Sequence, residues 1–180
     1  MIDFHYNYIL KKYSNAQLTY CDTDSLVYHI ETDDFYHDMK KDSHLYDLSN
    51  FPKEHEIYSE TNKKVIAKFK DESPDEVISE FIALRSKLYS YVTNDLNEVK
   101  KCKGIKKNVI KNEISFEEYM KVLIEKIPIE KQMNVFRSRS HQLFTEKITK
   151  VALDGMDQKR KILSDGISTL ALGHYLQTNI

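Results

Sequence analysis

Tryptophan is missing from this 180-residue chain, and glycine (4), proline (3) and cysteine (2) are all scarce. So little glycine and proline excludes a collagen-like repeat or a low-complexity chain. Cys21 and Cys102 each stand alone, outside any CxxC or His/Cys cluster. No disulfide framework and no zinc site is implied, and reduced thiols in an intracellular setting are expected. Long apolar runs are also absent: hydrophobic residues make up 41%, charged residues 31%, and the mean hydropathy is -0.57. That excludes the membrane-spanning class, and no membrane partner is expected. The opening Met1-Ile2-Asp3-Phe4-His5 is acidic and aromatic where a secretory signal is basic and then uniformly apolar, so no export signal is visible. What remains is a globular chain, long enough for one domain with a core or for two small lobes.

The net charge of -1 conceals an asymmetry. Residues 1 to 99 carry 11 Lys and Arg against 19 Asp and Glu, a balance of -8, whereas residues 100 to 180 carry 16 against 9, a balance of +7. Every cation of the second part lies between Lys100 and Lys161. Such a stretch attracts a polyanion, of which nucleic acid is the obvious candidate; a solvated lysine-rich surface is the alternative.

Hydrophobic periodicity sets the expected elements. Ile2, Tyr6, Ile9 and Tyr13 recur at three- and four-residue steps and predict a helix over residues 2 to 12. Leu18 to Cys21 and Ser25 to Ile30 predict two strands joined at Asp22-Thr23-Asp24, a hairpin with acidic residues at its tip. Thr32, followed by Asp33 and Asp34, is the expected N-cap of a helix running through Met39 and Lys40. Residues 43 to 62 read as an irregular loop. Lys63 to Lys70 and Val77 to Val92 read as a second antiparallel pair, separated by Asp71-Glu72-Ser73-Pro74-Asp75. Ser115 and Glu118 form a capping box for the clearest helix, which Pro128 ends, and a further helix is expected from Val151 to Leu163, closed by Gly166. The fold class expected is α+β: antiparallel hairpins with packed helices over residues 1–112, then a mainly helical part over 113–180. No internal repeat or flexible linker is visible.

Asp22 and Asp24 sit two residues apart in Tyr20-Cys21-Asp22-Thr23-Asp24-Ser25. On an extended backbone both carboxylates leave from one face, while Cys21, Thr23 and Ser25 point the other way. Two carboxylates about 4 Å apart repel by roughly 4 kcal/mol at an effective dielectric near 20. A partly desolvated pair therefore favours a divalent cation or a shared proton. Hard oxygen ligands suit Mg2+ in phosphoryl transfer. Taken alone, Asp-x-Asp is more often turn chemistry at a hairpin tip. An EF-hand is disfavoured, because Leu26 occupies the fifth position of the run and Val27 the sixth, where glycine belongs.

In full, Tyr20-Cys21-Asp22-Thr23-Asp24-Ser25 resembles the YxDTDS motif of family B DNA polymerases, the hairpin that supplies catalytic carboxylates in the palm. Leu84-Arg85-Ser86-Lys87-Leu88-Tyr89, Lys101-Cys102-Lys103-Gly104-Ile105-Lys106-Lys107 and Glu113-Ile114-Ser115-Phe116 follow in an order similar to the protein-primed branch, in viruses and in virus-like DNA transposons of the Maverick or Polinton type. The resemblance extends over nearly all of the chain. It implies that Asp24 is the principal metal ligand, that Asp22 assists, and that Tyr20, Thr23 and Ser25 shape the hairpin. Lys87 and Tyr89 match the family's K-x-Y motif, which holds the primer end, and Arg85 is expected beside them on one strand face with Tyr91. Implied partners are a DNA primer-template, deoxynucleoside triphosphates and, for the protein-primed branch, a terminal priming protein; the implied cofactor is Mg2+.

Two further family motifs are not in the sequence: one resembling DxxSLYP, with the second metal-binding aspartate, and one resembling KxxxNxxYG, which holds the incoming triphosphate. No exonuclease carboxylate motif occurs either. The chain is therefore expected to be the C-terminal end of the palm plus the thumb, with the remaining polymerase portion upstream of Met1 and no nucleotide addition in isolation. Lys100, Lys101, Lys103, Lys106, Lys107 and Lys111 bracket Gly104, where backbone could approach a phosphate closely. Lys103, Gly104 and Lys107 are the expected duplex contacts, and Arg137, Arg139, Lys159, Arg160 and Lys161 could extend that track or simply solvate helices. The seven histidines show no metal-ligand spacing. Two readings stand beside the polymerase: a non-catalytic DNA-binding remnant of a transposon, and an unrelated Mg2+-dependent Asp-x-Asp transferase acting on a nucleotide sugar.

Overall fold

The computed structural model describes residues 1–74, 76–156 and 160–176. It is α+β, with four α-helices and small antiparallel sheets among the described residues. The chain divides into two compact units, Met1–Val77 and Ile78–Ile180. The boundary expected near residue 112 falls inside the second unit, in the last turn of the helix Lys107–Glu113.

The first unit opens with a π-helical segment, Phe4–Ile9, that runs into α1, Leu10–Lys12. The wider turn of the π segment displaces the expected stripe. Ile9 and Tyr13 are buried, but Ile2 is 76% and Tyr6 59% exposed, and Phe4 and Tyr8 pack inward instead. Strand β1, Gln17–Asp22, pairs antiparallel with β2, Ser25–His29, as the alternation predicts. Helix α2, Phe35–Lys41, is capped by Asp34, whose side chain accepts from the His37 amide at 2.9 Å. Thr32, the expected cap, instead directs its hydroxyl to Asp38.

After a single 3-10 turn at Ser43–Leu45, the chain to residue 70 is irregular but pinned. Buried Asp47 accepts from the amides of Ser49 and Lys64, both at 3.0 Å, and the Asn62 side-chain amide donates to the carbonyls of Ser43 and Tyr46. The strand expected over Lys63–Lys70 does not form. Lys64 and Ala67 are left-handed, Ile66 is 92% exposed, and only an isolated bridge joins Phe69 to Tyr46. Alternating residues make a strand only where a partner takes their amides, and here Asp47 takes the Lys64 amide. Tyr46, Leu48, Phe51, Ile57 and Met39 form the core of this unit.

In the second unit, β3 (Ile78–Arg85), β4 (Leu88–Thr93) and β5 (Glu98–Cys102) form one antiparallel sheet. The stretch expected as a single strand over 77–92 is thus a hairpin, turning at Ser86-Lys87 with Lys87 at φ 61°. Helices α3 (Lys107–Glu113) and α4 (Phe116–Glu125) follow. The capping box is present as expected: Ser115 and Glu118 each satisfy the other's backbone amide. Fully buried Tyr119 and Val122 seat α4 in a core shared with Ile82, Leu88, Cys102 and Leu153.

Beyond α4 the described chain is not the mainly helical part expected. It continues as a long hairpin of β6 (Ile129–Arg139) and β7 (Gln142–Leu153), then a short pair, β8 (Arg160–Ile162) and β9 (Thr169–Ala171). Ile129, Lys131, Met133 and Val135 are the more buried positions and alternate with exposed ones, a period of two. The helix expected over Val151–Leu163 is replaced at its start by the end of β7, where Ala152 and Leu153 enter the core, and at its end by β8. Its middle, with Lys159, lies outside the described residues, as does Asp75 of the predicted turn. No helix among the described residues is long and apolar enough to cross a membrane.

Candidate functional sites

The acidic hairpin is built as the sequence predicts, with one change. Asp22 is the last residue of β1 and pairs with Ser25, so Thr23 and Asp24 form a two-residue turn. Thr23 is left-handed at φ 57°, and the Asp24 amide donates to the Asp22 carbonyl at 2.7 Å. The chain reverses between the aspartates, so the shared face of an extended strand is not what relates them. Thr23 donates from its hydroxyl to the Asp22 carboxylate at 3.1 Å, and Ser25 to the Asp22 carbonyl at 3.1 Å. Tyr20 lies opposite Val27, just after an irregularity in the ladder. Asp24 is exposed and Asp22 half-buried, so the tip is open to solvent.

Two carboxylates are hard oxygen donors and suit Mg2+ in kind. They do not suffice in number for a two-metal centre. Among the described residues no group of three or more His, Cys, Asp or Glu side chains is placed to hold a metal.

The expected nucleic-acid residues of the second unit divide into separate positions. Arg85 pairs with Leu88, and Leu88 with Cys102. Lys87 lies in the turn, and Tyr89 and Tyr91 point to the opposite face of β4 from Leu88. The single strand face expected for Arg85, Lys87, Tyr89 and Tyr91 is therefore not formed; the turn and the ladder irregularity between Ala83 and Arg85 divide it. Tyr89 and Tyr91 instead stack with Phe81, with ring centroids 5.7, 6.4 and 6.5 Å apart. Lys103 is joined to Lys87 through the backbone, its amide donating to the Lys87 carbonyl at 3.2 Å. Lys107 opens α3 and is exposed. Lys100 and Lys101 belong to strand β5 rather than to a loop, and Lys100 is held by Glu98 and by the Ile114 carbonyl.

Gly104 is left-handed at φ 92°, as a close backbone approach requires. What approaches it is Lys150, whose Nζ donates to the Gly104 carbonyl at 3.1 Å. Beside this contact lies an open groove of about 340 Å³, to which Lys106, Arg137 and Lys150 contribute cations and Val135 and Ile148 apolar surface. Lys106 and Arg137 stand out in the sequence as candidate cations but Lys150 does not, because 46 residues separate it from Gly104 and only the β6–β7 pairing brings it there. Buried Cys102 is no nucleophile: burial pushes its thiol up to about 11, against the opposing charges of Arg85 and Lys150.

Comparison of the chain with protein-family models, with curated protein sequences and with solved structures finds no match to any of the three.

Proposed function

We propose that this chain is the C-terminal palm and thumb portion of a protein-primed family B DNA polymerase. In the intact enzyme a primer 3′-hydroxyl attacks the α-phosphate of a deoxynucleoside triphosphate, forming the new phosphodiester bond and expelling pyrophosphate. The observation that carries the reading is the Tyr20–Ser25 hairpin, which presents Asp22 and Asp24 on either side of Thr23 at an exposed tip. These carboxylates would hold Mg2+, which supplies charge neutralisation to the reacting phosphates. Lys87 and Tyr89 would hold the primer end, with Arg85, Lys103, Gly104 and Lys107 on the duplex side. The charge balance of residues 100 to 180, at +7, supports contact with a polyanion.

Primer extension with the purified chain and a polymerase portion bearing the missing aspartate and lysine motifs tests the reading. Incorporation is expected from the combination, none from either piece alone, and a loss of at least about a hundredfold on Asp24→Ala. Incorporation unaffected by Asp24→Ala would overturn the assignment.

The second reading, a non-catalytic DNA-binding remnant, is favoured by one observation: the cations around the Gly104 turn form their groove without using either aspartate. DNA binding by the combination with no incorporation would select it.

A further inference from the structure

We propose that the groove between the Gly104 turn and the β6–β7 hairpin binds a single strand of nucleic acid, its phosphates on Lys106 and Lys150 and a base against Val135 and Ile148. The cations come first. Lys106, Arg137 and Lys150 all line the groove, and among the described residues neither Lys106 nor Lys150 has a carboxylate within ion-pairing distance. Arg137 is paired with Glu146 at 3.1 Å, an exposed pair that an incoming phosphate can compete with. Three cations on one open groove call for a polyanion.

The apolar surface selects which polyanion. Val135 and Ile148 lie among these cations. A duplex keeps its base faces stacked inside and cannot lay one on such a floor, whereas a single strand carries unstacked bases that can. An acidic peptide would satisfy the cations but leave the apolar floor unoccupied. Phe136 adds a second platform. It is 81% exposed in the middle of β6, and Lys106 Nζ lies 5.5 Å from its ring centroid. Strand alternation puts Phe136 on the opposite face of β6 from Val135 and Arg137, so Lys106 serves both the groove and the ring across that strand. An exposed aromatic ring with a cation beside it is the arrangement that stacks a base next to its phosphate. The inference does not depend on the polymerase reading, since it uses no residue of the acidic hairpin.

The test is fluorescence anisotropy on the full chain, with labelled oligothymidylate, a blunt duplex of equal length, and poly-glutamate as competitor. Single strand is expected to bind about tenfold more tightly than duplex, from stacking of one base. Lys106→Ala with Lys150→Ala should lower the slope of log K against log salt by about 1.4, or about 0.7 per phosphate contact. Phe136→Leu should weaken single-strand binding about fivefold and leave the slope unchanged. A control pair in the first unit, Lys11→Ala with Lys53→Ala, matches the charge change and should alter neither. Asp24→Asn should not weaken binding, which separates this inference from the function proposed above. Equal or tighter binding of duplex, displacement by poly-glutamate as effective as by unlabelled strand, an unaltered slope in the lysine pair, or no binding at all would each overturn the proposal.

Discussion

Lys150 and Gly104, distant in sequence, meet where the long hairpin crosses the β5–α3 turn: the lysine ammonium donates to the glycine carbonyl at 3.1 Å, and a β-carbon at Gly104 would lie 2.8 Å from that nitrogen. The left-handed backbone at φ 92° favours glycine there, and the nearby lysine end adds a smaller steric preference.

Gly104→Ala is therefore expected to destabilise the chain by about 1–2 kcal/mol, mainly from the backbone conformation. The flexible end of Lys150 can move aside, so the steric part is the smaller one. Urea denaturation of Gly104→Ala, Lys150→Ala and the double variant separates the two. The alanine should still cost most of its full value when Lys150 is already truncated. A neutral Gly104→Ala would show that the turn does not hold this conformation.

The elements legible in the sequence are those whose signals are local. Ser115 and Glu118 cap one helix turn from three residues apart, and the Tyr20–Ser25 hairpin has both alternation and turn-forming residues. The β6–β7 hairpin was harder to read although Ile129, Lys131, Met133 and Val135 alternate, because its turn lacks the usual residues. Ser140 at φ 50° and His141 at φ 63° are both left-handed without glycine or asparagine. Lys63–Lys70 shows the converse: the alternation is present, but Asp47 takes the Lys64 amide. The Gly104–Lys150 contact had no local signal, since it depends on which strands pair.

Acid should weaken the first unit through a specific network. The Lys12 ammonium, aided by the Tyr8 hydroxyl, holds Asp42 below the usual carboxylate range; at Asp38 burial works upward, but the Tyr13 hydroxyl and Lys12 outweigh it. Asp47 is likewise lowered: burial opposes, and hydrogen bonds from Ser49 and Lys64 prevail. A carboxylate depressed in the folded state contributes stability that is present above its unfolded pKa, about 3.9, and is lost as pH falls through the folded value. Urea midpoints should thus hold steady from neutrality to about pH 5 as far as these three groups are concerned, then fall. Lys12→Met should cost about 2 kcal/mol at pH 7 by leaving two partly buried carboxylates without their cation, and progressively less in acid as pH falls through the lowered folded values and both become protonated. A deficit that stayed constant with pH would mean that Lys12 acts by packing alone.

Thr93 closes β4 in the second unit. Its amide donates to the Asn97 carbonyl at 3.0 Å and its carbonyl accepts from Leu96 at 2.9 Å, which ties the turn to β5, yet its fully buried side-chain hydroxyl has no hydrogen-bond partner among the described residues. The neighbouring buried hydroxyl, Ser90, donates to the Val99 carbonyl at 3.0 Å and is satisfied. Valine reproduces the shape of threonine and removes the stranded hydroxyl, so Thr93→Val should stabilise the second unit by about 1 kcal/mol, a thermal shift of about 2–4 °C. Thr93→Ala removes the hydroxyl too but leaves a cavity, and should destabilise by about 1 kcal/mol. Opposite signs for the two variants in a thermal melt distinguish the missing partner from simple loss of bulk. Destabilisation by valine as well as alanine would mean that the Thr93 hydroxyl is in fact paired, with a buried water or with backbone.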